Sequence, residues 1–352
     1  MNTPARLNAL ATAVPDHILR QSDALPAAAR LFSKQAAEMS PQRLARIFGN
    51  TAIETRNTCQ PLDWYLAPHD FSERNGLYLR HAAALLQHAA ETAIAEAELA
   101  PGDIDMIITV SSTGIATPSL DALLVQRMPF RDDVQRLPVF GLGCAGGVQG
   151  LARAAALARG QPGSNVLLLV VELCSLTLRH GDRSKSNIIA TALFGDGAAA
   201  AVISTDAPGP AITAWGEHTW PDTLDVMGWD AGNDGLRVIF SRDIPTIIEQ
   251  DFQAALDIFL GRQELNCRQI DHFVAHPGGA KVLDALEAVF GLPLGGLEAS
   301  REVMRRHGNM SAVTVLFVLR EVYQAGLQAQ QRLLLSSMGP GFTAAFTLLE
   351  TD

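Results

Sequence analysis

Apolar positions along the chain recur at two alternating spacings. From Leu77 to Ala100 (LYLRHAAALLQHAAETAIAEAELA) they return every third or fourth residue, which predicts an amphipathic helix. Pro101-Gly102 stops it, and DIDMIITVSS follows as a buried strand ending near Ser111. PVFGLG leads to Cys144, and the next helix is expected from Val148 to Arg159. After the turn QPGS comes the strand NVLLLVVEL. ATALFGDGAAAAVIS predicts a strand pair around a tight Gly-Asp-Gly turn. Beyond the turn formers DAPGP (Asp206 to Pro210) the style repeats. Helices are expected at Thr246 to Leu260, Ala280 to Phe290 and Ser311 to Ala325, and strands at IDHFVAH, QRLLLSS and TAAFTLLE. Helix and strand alternate in both halves, so the expected class is α/β, with sheets covered by helices. The similar layout of residues 1–207 and 208–352 points to a duplicated unit.

Composition narrows the function class. The 352 residues are 48% hydrophobic and 18% charged, which predicts a large core and no extensive disorder. A formal net charge of −10 argues against a nucleic-acid binder, while leaving room for local arginines to receive an anionic ligand. The four cysteines (Cys59, Cys144, Cys174 and Cys267) contain no CxxC pair, as expected in a reducing compartment with neither disulfide framework nor zinc site. The first residues lack a basic segment followed by a long apolar one, and apolar runs such as Val166 to Val171 fall far short of the roughly 20 residues that span a bilayer. The expectation is a soluble cytoplasmic protein without a membrane span.

Three short motifs carry candidate chemistry. In GLGCAGGVQG, Cys144 stands at a strand-to-helix junction, where backbone N–H groups and the helix dipole favour a thiolate. The same residue also suits a small packed position in a glycine-rich crossing. His276 ends the apolar run FVA and precedes Pro277-Gly278-Gly279, at a strand's C-terminal edge where α/β folds place their sites; the alternative is a structural histidine at a turn. His81 and His88, by contrast, read as surface positions on a helix. Asn309, in RRHGNMSAVTVLFVL, is placed either to cap the following helix or to donate an amide hydrogen bond to a developing oxyanion.

Taken together and in this order, GCAGG, HPGG and GNMS resemble the type III polyketide synthases, the chalcone and stilbene synthase family with a thiolase fold. ALFGDGAAAAV, MGWD with SRDIP downstream, and SSMGPGFTAAFTLLE extend the resemblance from about Leu7 onward. It implies a duplicated, five-layered αβαβα architecture with mixed sheets. It implies that Cys144 takes an acyl group from acyl-CoA, that malonyl-CoA loses CO2, and that the enolate attacks the bound thioester. His276 and Asn309 would bind the thioester carbonyl, and His276 would pair with Cys144. No metal, flavin or nicotinamide is implied, and a homodimer is.

The resemblance also assigns a pocket. Phe194 falls on the family's gatekeeper aromatic, or else is an ordinary core phenylalanine. Counting back from Asp243-Ile244-Pro245, Val238 replaces a second aromatic gatekeeper of the plant enzymes. Thr117, Cys174, Thr177 and Ser311 fall on the cavity wall. Such small residues suit a flexible aliphatic starter, since each buried methylene contributes about 0.8 kcal/mol. WPDTLDVMGWDAGNDGL is also similar to bacterial alkylpyrone and alkylresorcinol synthases. Arg43, Arg46 and Arg56 lie where the family binds CoA phosphates, or form a solvated charged face. Two other readings share these motifs: a single-extension condensing enzyme like ketoacyl-ACP synthase III, and a non-catalytic thiolase-fold binding protein. Met310-Ser311 and the MGPGF loop favour the polyketide synthase over the former, and retention of all three motif residues favours it over the latter.

Overall fold

The structure, a computed structural model, describes residues 3–33, 40–241 and 244–352. Arg242 and Asp243 of SRDIP therefore lie outside the described residues. The first half runs β1 (Ala5–Ala13), β2 (His17–Arg20), α1 (Gln21–Ser33), α2 (Pro41–Gly49), β3 (Thr55–Thr58), α3 (Phe71–Glu96), β4 (Met106–Val110), α4 (Leu120–Val125), β5 (Gln135–Val139), α5 (Gly146–Gly160), β6 (Val166–Leu173), α6 (Lys185–Leu193) and β7 (Asp196–Ser204). The second runs β8 (Ala211–Thr219), β9 (Met227–Gly232), β10 (Gly235–Phe240), α7 (Ile244–Ile247), a π-helical turn (Ile248–Phe252), α8 (Gln253–Gly261), β11 (His272–Ala275), α9 (Ala280–Phe290), α10 (Glu298–His307), α11 (Thr314–Gln324), β12 (Arg332–Gly339) and β13 (Thr343–Glu350).

One nine-stranded sheet, in the order β11-β12-β13-β8-β1-β7-β6-β4-β5, carries the fold. Its two ends repeat one pattern. β4 and β6 are parallel, β6 and β7 antiparallel, β7 and β1 antiparallel. β11 and β12, β12 and β13, and β13 and β8 follow the same sequence of directions. The ends join where Ala5 and Arg6 of β1 pair with Ile212 and Ala211 of β8.

Side-chain alternation builds the layers. On β6, Val166, Leu168 and Val170 face a central core containing α5 and α11, while Leu167, Leu169 and Val171 face α3 on the other side. On β12, Leu333 and Leu335 face the same central core, and Leu334 faces a third cluster built by α8 and α9. Because both faces of these strands are covered, they read as continuous apolar runs. The result is the layered mixed α/β architecture expected.

Three local expectations change. The helix expected from Leu77 starts at Phe71, because Asp70 caps it by accepting from the Glu73 N–H at 2.8 Å. The supposed strand pair around Gly195-Asp196-Gly197 is α6 followed by β7. Ser184 caps α6, and the chain passes extended through Phe194, which bridges Asn309. The helix expected from Ser311 opens with a 3₁₀ turn, Ser311–Val313, before α11.

Candidate active site

Cys144 sits in a 3₁₀ turn (Gly143–Ala145) between β5 and α5 and is buried. The 3₁₀ turn Ser311–Val313 packs closely on the start of α5. A Cβ added at Gly147 would lie 2.2 Å from the Ala312 carbonyl oxygen, so only glycine fits there. This contact brings Ser311 against Cys144, whose Sγ donates to Ser311 Oγ at 3.7 Å. Ser311 has φ +49, a left-handed conformation uncommon for a non-glycine residue. It is held there by Asn309 Oδ1, which accepts from the Ser311 N–H at 2.8 Å, and by Thr314 Oγ1, which donates to the Ser311 carbonyl at 2.9 Å.

Asn309 also donates from Nδ2 to the Gly278 carbonyl at 3.3 Å, and the Gly278 N–H donates to the His276 carbonyl at 3.0 Å. A continuous path of contacts thus links His276, Asn309, Ser311 and Cys144, uniting the three motifs. Asn309 is not the N-cap expected, a place taken by Met310, but its Oδ1 orders the start of the same turn through the Ser311 N–H.

The electrostatics depart from the dipole-based expectation. Burial pushes the Cys144 thiol up to about 12, with the Ser311 hydrogen bond opposing it only in part. Desolvation is the largest influence on this thiol. Burial lowers His276 to about 4, so its ring is neutral at pH 7. Among the described residues neither ring nitrogen has a hydrogen-bond partner. No Cys144–His276 hydrogen bond exists among the described residues of this resting site.

A pocket opens beside Cys144, walled by Ser311, Cys174, Phe194 and Val238 together with Trp229 and Phe240. Four of the expected wall residues are therefore present. Thr177 instead donates from Oγ1 to the Cys174 carbonyl at 2.7 Å and lines neighbouring cavities. Thr117 is exposed on the loop between β4 and α4 and lines no part of this chain's pocket. Arg43 and Arg46 are exposed on α2, whose Leu44 and Phe48 pack against α6. Arg56 does not stand at a charged mouth. It is 2% exposed, and its Nη1 donates to the Thr191 and Phe194 carbonyls at 2.7 and 2.9 Å. His81 is half-buried, in contact with Gln60 at 3.0 Å, rather than a free surface residue.

Residues 1–207 match the family described as chalcone and stilbene synthases, N-terminal domain, and residues 215–351 match the C-terminal domain of the same enzymes. The chain belongs to the chalcone and stilbene synthase family, the type III polyketide synthases. It is 39% identical to a 1,3,6,8-tetrahydroxynaphthalene synthase of Streptomyces peucetius subsp. caesius, over 97% of this chain and 92% of that protein. It is 26% identical to the alpha-pyrone synthesis polyketide synthase-like Pks18 of Mycobacterium tuberculosis, over 99% and 91%. The crystal structure of the Streptomyces coelicolor A3(2) 1,3,6,8-tetrahydroxynaphthalene synthase, a bacterial type III polyketide synthase, superposes with a TM-score of 0.93 at 30% identity, covering 99% of this chain and all of that one. The synthase is thus an enzyme of the acyltransferase class. Among its described residues no helix is long and apolar enough to cross a membrane.

Two features, a pair of pocket aromatics and a buried acid, were not legible in the sequence. Trp229 and Phe240 come from the hairpin β9–β10, whose half-buried alternation is too weak to stand out. Glu172 is fully buried near the end of β6, where its Oε2 accepts from the Ser112 N–H at 3.0 Å and Thr113 Oγ1 at 2.8 Å. Burial raises it to about 8. One acid closing the run VLLLVVEL was the available signal, since a charge is seldom fully buried without a specific partner.

Proposed function

We propose that this synthase loads a medium- or long-chain aliphatic acyl group onto Cys144, extends it repeatedly with malonyl-CoA, and cyclises the chain to alkylpyrone or alkylresorcinol products. One observation carries the starter class. Cys174 and Phe194 wall the Cys144 pocket on one side and, on the other, an apolar cavity lined by Leu19, Ala24, Ala28 and Leu178. An alkyl chain passing this wall would bury methylenes that a planar aromatic starter lacks.

The chemistry follows from the residues. The Cys144 thiol gives up its proton to a His276 ring nitrogen, and sulfur attacks the acyl-CoA carbonyl while the CoA thiol leaves. Malonyl-CoA loses CO2, and its enolate carbon attacks the Cys144 thioester, freeing the sulfur. His276 N–H and the Asn309 amide stabilise the oxyanions. Two unpartnered nitrogens on a buried ring are costly unless reserved for such a ligand. Only CoA thioesters are consumed. Arg43 and Arg46 are the cations proposed to meet CoA phosphates. The four free cysteines fit a reducing cytoplasm. A homodimer would pair through β5, the sheet's exposed edge strand, beside exposed Ile115, Leu137 and Phe140.

The test is product mass after incubation with malonyl-CoA and acyl-CoAs from acetyl to myristoyl, with Cys144→Ala alongside. Alkyl tri- or tetraketide products, absent in the variant, support the proposal. Products built from malonyl units alone, or a single extension, overturn it.

A further inference from the structure

Beside Cys174 the pocket wall is a hairpin whose strands, among the described residues, ladder only with each other. β9 and β10 form a separate two-stranded sheet in which Trp229 pairs with Val238 and Met227 with Phe240. Alternation puts these four side chains on one face, and all four line the pocket. Among the described residues no ladder to the main sheet fixes the distance of this face from Cys144, so the packing of Trp229, Val238 and Phe240 against Cys174 and Phe194 and side-chain anchors at the tip share that restraint.

Those anchors converge on Asp234 at the hairpin tip. Arg179 grips the Asp234 carboxylate with two bonds, Nε donating at 2.8 Å and Nη2 donating to the other oxygen. Arg74, buried at the start of α3, donates from Nη2 to the Asp234 carbonyl. Its Nη1 donates to the Leu176 and Leu178 carbonyls at 3.2 and 3.3 Å, within the segment that follows Cys174. A single guanidinium therefore ties both walls together. Next to the tip, Gly235 (φ +105) closes on Phe71, where a Cβ would lie 2.6 Å from the ring.

We propose that the Arg74–Asp234–Arg179 latch sets the width of the pocket over Cys144 and so determines the bulk of acyl group the synthase admits. This refines the starter reading above and rests on it for the identity of the ligand. Asp234 and Arg179 are positioning residues: they act through the hairpin and do not line the Cys144 pocket.

Pocket width is readable without substrate. Cys144 is alkylated with iodoacetamide and with N-phenylmaleimide, and the ratio of the two rates is compared among wild type, Asp234→Asn, Asp234→Glu and Arg179→Gln. The Asp234 side chain is 60% exposed, so its amide does not endanger the fold, and Arg179→Gln breaks the same pair from the other side. The bulky-to-small ratio should rise about fivefold in Asp234→Asn and Arg179→Gln, the effect of losing a well-formed pair of this exposure, and return toward wild type in Asp234→Glu. In turnover, kcat/KM should shift toward bulkier starters through KM, with kcat for small ones held. An unchanged ratio in both variants, or equal acceleration by both reagents, overturns the proposal. A shifted ratio in an enzyme that turns over no acyl starter would sink the starter reading while leaving the latch standing.

Discussion

Replacing Cys174 with phenylalanine should separate long starters from short ones. Cys174 is fully buried, packs with Ala190 and Phe194, and walls both the Cys144 pocket and the larger apolar cavity. A phenyl ring there adds bulk to the wall they share. If a long acyl chain places about four methylenes beyond this wall, their loss costs roughly 3 kcal/mol, or about 200-fold in kcat/KM. Overpacking adds about 1–3 kcal/mol of general destabilisation, but that penalty is common to every starter. The assay is kcat/KM for butyryl-, octanoyl- and myristoyl-CoA in both enzymes. Butyryl-CoA should be nearly unaffected and myristoyl-CoA should fall by about two orders of magnitude. Equal losses across the series, or none with myristoyl-CoA, would refute passage of the chain through this wall.

Three further outcomes test the site from other sides. Gly147→Ala forces a methyl to 2.2 Å from the Ala312 carbonyl oxygen, a backbone atom that cannot rotate away; about 1–3 kcal/mol of stability should go, read as a Tm drop of several degrees, and an unchanged Tm would contradict the close packing. Arg56→Met should lower Tm by removing buried bonds to the Thr191 and Phe194 carbonyls, while leaving KM for acyl-CoA unmoved; Arg43→Ala with Arg46→Ala should raise that KM, and the reverse pattern would restore Arg56 as a phosphate ligand. Burial raises Glu172 from 4.5 to about 8, so between those values the unfolded chain has lost a proton that the folded one keeps. Stability from this group is present below pH 4.5 and drains away as pH rises through 8, by at most about 5 kcal/mol. Glu172→Gln should therefore gain Tm over wild type at pH 8.5 relative to pH 5, and a constant difference between the two pH values would rule out the buried protonated acid.

The sequence carried the motifs and the alternation of elements, because both are local. GCAGG, HPGG and GNMS are short, and the strand β6 is apolar along nearly its whole length. What it hid depends on partners distant in the chain. ALFGDG looks like a turn until Phe194 is seen bridging Asn309, more than a hundred residues away. Arg56 looks like a surface cation until α6 presents its carbonyls to it. The apolar cavity is built from Leu19, Leu62 and Leu178, a set with no shared period. The burial that raises the Cys144 thiol was hidden for a different reason: a dipole is legible from a junction, whereas desolvation depends on what closes over it.

The central claim is that Cys144 is acylated, and intact-protein mass spectrometry tests it most directly. After brief incubation with octanoyl-CoA and no malonyl-CoA, the wild type should gain one octanoyl mass, lost on hydroxylamine treatment and mapped to the peptide containing Cys144. Cys144→Ala should gain none. An unmodified wild type, or an adduct that persists in Cys144→Ala, would contradict the account.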